Sequence, residues 1–278
     1  MDHNVSVEIL ILGKGFVGQY TYDLCKRQDI AVAATTRDGR DGTYAWSLES
    51  STESLPTART VVITFPVRTG AELRSLVEDY NKLHSIQPQY IFLSSTRPFD
   101  KLNSTRHSPV DSKHTRFDTE NAVFEAPCNG SVLHLSGLWG GSRQPRNWLR
   151  FFMTPEKLKN AIIARQLHLI HGADVAKAIV NGLHRHFTPG ERWLLSDGKV
   201  YDRLELVRSW NNKEQVEIIE SLREDPAVAS VIGTQPFEDI VVGAEKIDLP
   251  RRLNPDEFWE HFQLSPDYYF DPYSQEDM

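Results

Sequence analysis

ILGKGFVGQY, residues 11–20, sets three glycines, Gly13, Gly15 and Gly18, between an apolar run and an amphipathic one. Each suits a separate task in a turn that holds a dinucleotide. Gly13 permits the tight bend off a strand, Gly15 removes a side chain from the path of a pyrophosphate, and Gly18 lets the next helix lie close on the strand. The free N–H groups of that helix's first turn then face the anion. A bare G-x-G-x-x-G is common, so its flanks decide its weight. The β-branched run at 5–12 predicts a strand, and Val17, Tyr20, Leu24 and Cys25 fall at helical spacing over 16–28. Gly13, Lys14, Gly15, Phe16, Val17 and Gly18 are therefore expected to contact a cofactor.

The next strand, predicted over 30–36, ends in Thr35-Thr36-Arg37. Sites that prefer NAD place Asp or Glu at this tip, about 20 residues past the glycines, to accept from the ribose 2′-hydroxyl. Here the tip offers Thr36 and the guanidinium of Arg37, which suits a 2′-phosphate through charge-assisted, bidentate bonds. NADP(H) is expected over NAD(H), with Asp38 as the competing determinant one residue on.

Further strands are predicted from Thr43 (TYAWSLE), over 61–66, 90–95 and 131–136, with helices between them. Thr69 and Glu72 form a T-x-x-E capping box for a helix running toward His84. Alternating strands and helices predict an α/β fold, a Rossmann-like doubly wound parallel sheet. In such sheets ligands bind beyond the carboxyl ends of the strands, which adds Phe65, Pro66, Ser94 and Ser95 to the expected cofactor contacts. A helix over 174–186, a strand at 193–198 and a helix over 202–210 follow. The division expected is residues 1–210 as the dinucleotide-binding domain and 211–278 as a small C-terminal lobe and tail.

Composition narrows the function classes. With 278 residues, 40% hydrophobic and 25% charged, the chain is an ordinary globular one, and its net charge of -7 supplies no pull toward nucleic acid. No stretch has the length and apolarity of a signal peptide or membrane span, so a cytoplasmic protein acting on a small molecule, without membrane or nucleic-acid partners, is expected. Cys25 and Cys128 are too few for a disulfide framework and read as buried thiols. His168-x-x-His171 and His184-x-His186 have metal-compatible spacing, yet no neighbouring Cys or paired Glu completes a site, and no metal is expected.

Five separated segments, ILGKGFVG, SSTRPF (94–99), LHLSGLWGGSR (133–143), LIHGADVAKAI (169–179) and LLSDG (194–198), together resemble the short-chain dehydrogenase/reductase superfamily in its extended and atypical branch of NAD-dependent epimerase/dehydratase-like proteins. The resemblance covers roughly residues 5–210 and implies an NAD(P)-dependent oxidoreductase or epimerase-like activity, with a homodimer compatible with it. It places Thr96 where the family keeps a catalytic Ser or Thr. The family's Tyr-x-x-x-Lys pair is missing from its helix: counting back from Glu120 lands on Ser112 and Arg116. Arginine stays charged and a serine hydroxyl is a poor acid near neutral pH, so the ordinary proton donor is absent. His107 and His114, in the loop expected to border the cofactor, are the candidate substitutes. Arg97 and Arg143, after the fifth and sixth strands, are the candidate contacts for an anionic substrate group, while His134, inside an apolar strand, reads as a core residue. Three functions stay open: an NADP(H)-dependent enzyme on a small anionic or sugar-like metabolite, a non-catalytic dinucleotide-binding regulator or scaffold, and a transferase-like or other Rossmann protein whose turn holds a different adenosine-containing ligand.

Overall fold

The computed structural model describes residues 6–99, 103–152, 154–210, 213–246 and 252–274. The expected strand start at residue 5 lies outside them. In chain order the strands are β1 (Val7–Leu12), β2 (Val32–Thr36), β3 (Tyr44–Ala45), β4 (Ala58–Ile63), β5 (Gln89–Ser95), β6 (Ser131–Leu135), β7 (Gly137–Trp139), β8 (Gln166–Leu167), β9 (Leu169–His171), β10 (Arg192–Leu195) and β11 (Tyr201–Asp202). The helices are α1 (Phe16–Arg27), α2 (Gly70–His84), α3 (Phe117–Phe124), α4 (Pro155–Ala164), α5 (Gly172–Lys177), α6 (Arg203–Ser209), α7 (Lys213–Leu222), α8 (Pro226–Ile232) and α9 (Asp256–His261).

Seven strands make one parallel sheet in the order β10-β6-β5-β4-β1-β2-β3. Strand order reverses between β1 and β4, where Leu10 faces Val61, and this is the point at which open α/β sheets take ligands. The alternation of side chains along β1 explains the covering of both faces. Ile9 and Ile11 join the core beneath α1 and α5 with Val17, Val175 and Ile179, whereas Leu10 and Leu12 join the opposite core beneath α2 with Leu73 and Tyr80. Both cysteines are buried in these cores.

Local chemistry sets the helix ends. Thr69 Oγ1 accepts from the Glu72 N–H at 3.1 Å to start α2, but the Glu72 carboxylate reaches the Arg68 N–H at 3.1 Å, one residue before the cap. The helix expected over 174–186 begins at Gly172 and widens into π-type turns over 178–183. The strand expected from Thr43 is reduced to Tyr44–Ala45, reached through Gly39 in the left-handed region at φ +70°.

The apolar core of the lobe draws on both sides of residue 211. Leu158 and Ile162 of α4 and Leu204 and Val207 of α6 pack with Ile219 and Val228 of α7 and α8. A buried ion pair ties this unit to β8 and β11: Arg165 donates Nε and Nη2 to the two oxygens of Asp202, at 3.0 and 2.9 Å, and Asp202 also accepts from the N–H groups of Leu204 and Gly243. The tail then returns to the sheet, where Phe258 and Phe262 pack on Trp193 and the Trp259 indole donates to the Ser196 carbonyl at 3.0 Å. Among the described residues, no helix is long and apolar enough to cross a membrane.

Candidate functional site

Each glycine of the turn meets different surroundings. Gly13 has φ +97°, and a Cβ there would meet Thr64 Oγ1 at 2.7 Å. At Gly18 a Cβ would stand 2.3 Å from the Gly13 carbonyl oxygen, so α1 lies against the turn only because that carbon is missing. At Gly15, by contrast, a Cβ would meet nothing within 4 Å: the space beside it is open. Gly15 is the N-cap of α1, no side chain caps the first turn and no acid occupies it, which leaves its N–H groups and the positive end of a 12-residue helix directed outward. The turn itself is pinned from β2, with Thr35 accepting from the Gly13 and Lys14 N–H groups at 2.9 and 2.8 Å.

Two clefts open at the carboxyl ends of the strands on either side of this turn, and Pro66 and Arg116 line both. The one toward β2, about 670 Å³, is lined by Gly13, Thr36, Arg37, Trp46, Phe65 and Arg68 among others. The one toward β6, about 970 Å³, has Phe16, Val17, Ser94, Ser95, Ser136 and Arg143 in its walls. The exposed guanidinium of Arg143 lies over the Phe16 ring, 4.7 Å from its centroid.

The expected site residues divide between wall and background. Gly13, Phe16, Val17, Thr36, Arg37, Phe65, Pro66, Ser94, Ser95 and Arg143 line one cleft or the other. Lys14 turns its ammonium over the Tyr22 ring at 4.1 Å. Thr96 is buried and gives its carbonyl to the Phe99 N–H, and neither it nor the exposed Arg97 lines a cleft. His107 is drawn away by a carboxylate 150 residues distant, its Nε2 lying 2.8 Å from Glu257. His114 stands behind Arg116, whose N–H it accepts at 3.3 Å; burial first, then Arg116 and Arg97, hold its imidazole below the ordinary histidine pKa. Asp38 is engaged in its own turn: the Thr36 hydroxyl first, then backbone groups and Arg40, hold its carboxyl below the usual range. The Tyr-x-x-x-Lys spacing does occur at Tyr22 and Lys26 of α1, where neither side chain lines a cleft. His168 of the two histidine pairs accepts from the Leu253 N–H at 3.2 Å, and among the described residues no group of three His, Cys, Asp or Glu converges on a metal position.

Arg116, at the position counted back to the family lysine, is half-buried between the two clefts, and burial lowers its pKa against the pull of Glu120. Behind it lies a buried polar cluster. The Ser94 hydroxyl oxygen lies 2.5 Å from Oε1 of Glu120 in α3, whose second oxygen has no partner. His134 of β6 places Nδ1 3.0 Å from the Ser95 carbonyl; since a carbonyl only accepts, Nδ1 carries the hydrogen and Nε2 is a bare, unpartnered lone pair. Burial pushes this imidazole down to about 3.

Several wall residues escape a reading of the sequence. Arg68 follows the same strand end as Phe65 and Pro66, so extending that logic by two residues finds it. Gln144, Asn147 and Trp148 enter the cleft on an irregular segment and a 3-10 turn after β7, and no periodicity marks them.

No family model matches the sequence, and no curated protein matches it. Solved structures do. A short-chain dehydrogenase/reductase superfamily protein from Agrobacterium tumefaciens, solved with bound NAD, superposes with a TM-score of 0.66 at 13% identity, over 97% of this chain and 95% of that one. The fold is that of the short-chain dehydrogenase/reductase superfamily. A conserved protein of unknown function from Silicibacter pomeroyi gives 0.65 at 16% identity, covering 96% of both chains. The dTDP-glucose 4,6-dehydratase of Bacillus anthracis, in complex with NAD, gives 0.62 at 14% identity over 98% of this chain and 95% of that one. NAD-dependent epimerase/dehydratase proteins thus share with this chain the parallel sheet and its flanking helices.

Proposed function

We propose that the protein binds NADP(H) across the two clefts and is an oxidoreductase or epimerase-like enzyme acting on a small anionic or sugar-like metabolite. The meeting of both clefts at Pro66 and Arg116, beside the turn whose Gly13, Phe16 and Val17 line them, carries this reading. The residues present fit a dinucleotide. Open space at Gly15 and uncapped N–H groups on α1 suit a pyrophosphate, and Thr36, Arg37 and Arg68 face the half where an adenosine ribose and its 2′-phosphate belong. Glu49 in the same wall is held below the usual carboxylate range first by backbone and Ser47 hydrogen bonds and then by Arg68 and Arg37. The NAD held by two of the structural neighbours supports a nicotinamide coenzyme, and the dehydratase among them supports a sugar-like substrate.

A nicotinamide ring, when bound, supplies hydride chemistry. This chain's residues would bind and orient: Arg143, Gln144 and Asn147 offer donors to a phosphate, carboxylate or sugar hydroxyl, and Arg116 bridges the two halves. Thr96, His107 and His114 stand outside these walls, which leaves Ser94 and Ser95 as the hydroxyls of the β5 edge. The test is oxidation of NADPH, followed by its absorbance, against a panel of phosphorylated and carboxylated carbonyl compounds. Turnover with one chemical class is the expected result.

A second reading, a dinucleotide-binding regulator without turnover, is favoured by one observation. Among the described residues lining the β6 half, the titratable side chains are Arg116 and Arg143, which do not release protons near neutral pH. Tight NADPH binding with no oxidation by any member of the panel would select it.

A further inference from the structure

The cleft toward β6 needs a proton source that its own walls lack, and one lies directly behind them. We propose that Ser94 and Glu120 form a proton-relaying pair: Glu120 is a neutral carboxylic acid at physiological pH, and the Ser94 hydroxyl passes its proton to an oxygen bound in the cleft. The pair rests on the enzymatic reading given above and supplies the acid which that reading leaves unfilled.

Three observations converge on these two residues. Ser94 is buried at the end of β5 yet lines the cleft. Its hydroxyl lies 2.5 Å from Glu120 Oε1, so the carboxyl communicates with the cleft through a single atom. Glu120 itself is 0% exposed, and Oε2 has no hydrogen-bond partner. An ionised carboxylate in that position would keep one charged oxygen buried and unpaired, which is expensive enough that such groups take up a proton instead. With the proton on Oε1, Glu120 donates to Ser94 Oγ and the serine hydrogen is freed toward the cleft. Oε2 is then a carbonyl oxygen, the atom for which a missing partner costs least.

The charged neighbours oppose this protonation, and the net direction is still upward. Arg192 at the start of β10 and Arg116 before α3 both act to favour the carboxylate, as does the Ser94 hydrogen bond, and burial outweighs them. His134 Nδ1 lies 3.7 Å from Glu120 Oε1, but its hydrogen is committed to the Ser95 carbonyl, and its Nε2 has no proton to give. His134 therefore cannot replace Glu120 as the acid.

A carbonyl compound reduced in the cleft, with hydride that a bound nicotinamide would supply, would need a proton on its oxygen. That oxygen takes the Ser94 hydrogen as the Oγ–H bond breaks, Ser94 Oγ takes the hydrogen from Glu120 Oε1, and Glu120 is left as a carboxylate that solvent reprotonates after product leaves. Ser94 is the catalytic residue and Glu120 the positioned store acting through it.

Infrared spectroscopy of the protein without added ligand tests this, because a protonated carboxylic acid has its own carbonyl stretch. At neutral pH the wild type is expected to show such a band, absent in Glu120→Gln and shifted in Ser94→Ala. A wild-type spectrum in which Glu120→Gln removes only carboxylate bands would overturn the proposal, and so would an acid band indifferent to Ser94→Ala. If Glu120→Gln does not fold, carbon NMR of wild-type protein labelled in its glutamate carboxyls decides the same question: one resonance at the neutral-acid position supports the pair, and none there removes it. NADPH calorimetry fails or succeeds independently of either signal, so the loss of the pair and the loss of coenzyme binding are distinguishable.

Discussion

Beside β2 the cleft is walled by Arg37, Arg68 and Arg116 around Trp46 and Phe65; beside β6 it is walled by the hydroxyls of Ser94, Ser95, Ser136 and Ser142 with a single further cation, Arg143. Arg116 apart, the first half is assembled largely from residues close to a strand end, and its three guanidinium groups stand with the carboxylates of Glu49 and Glu72. The second half draws on β5, β6 and the irregular segment after β7, and its polar surface is hydroxyls and amides beside the guanidinium groups of Arg116 and Arg143. Affinity is accordingly expected to reside in the first half and selectivity for the second ligand in the other.

Substitutions separate the roles. Gly18→Ala puts a carbon 2.3 Å from a backbone carbonyl, so a stability loss of about 3 kcal/mol, the upper end for overpacking, is expected in urea unfolding. A Gly18→Ala protein as stable as wild type would break the assignment of this glycine to packing. Arg37→Ala is expected to weaken NADPH by about 2 kcal/mol, the scale of a hydrogen bond to a charged group, and to leave NADH unchanged. Equal losses for both coenzymes in a fluorescence titration would move Arg37 out of the 2′-phosphate role. Gly15→Ala reverses the pattern of Gly18: with nothing within 4 Å, stability should stay within about 0.5 kcal/mol, while NADPH affinity falls about tenfold.

The smallest effect is set by pH behind the β6 half. Burial holds His134 down at about 3 in the folded protein, against 6.5 for the ordinary group. The unfolded chain therefore takes up this proton first, and stability present above 6.5 is lost as pH falls. Over the first pH unit below that value the wild type should lose about 1 kcal/mol more than His134→Asn. Parallel losses in urea titrations at the two pH values would contradict the neutral assignment.

The same division governs what is legible in the chain alone. The three glycines, Thr36, Arg37 and the central strands are legible because each depends on neighbours within one turn or strand, and a continuously apolar run such as residues 9–12 has few alternatives to a buried strand. The loop position of His107 points to the coenzyme, but its side chain is placed by Glu257, and no local pattern encodes a contact across that distance. Glu120 serves only as a counting mark in the sequence; its burial against Ser94 needs α3 docked on β5. The lobe eludes division at residue 211 because α4 and α6 contribute half of a core whose other half follows them.

Calorimetric titration of the wild-type protein with NADPH beside NADH tests the central claim most directly. Saturable heat with both, and tighter binding of the phosphorylated coenzyme, is the predicted result. Absence of heat from either would contradict a dinucleotide site at the Gly13–Gly18 turn.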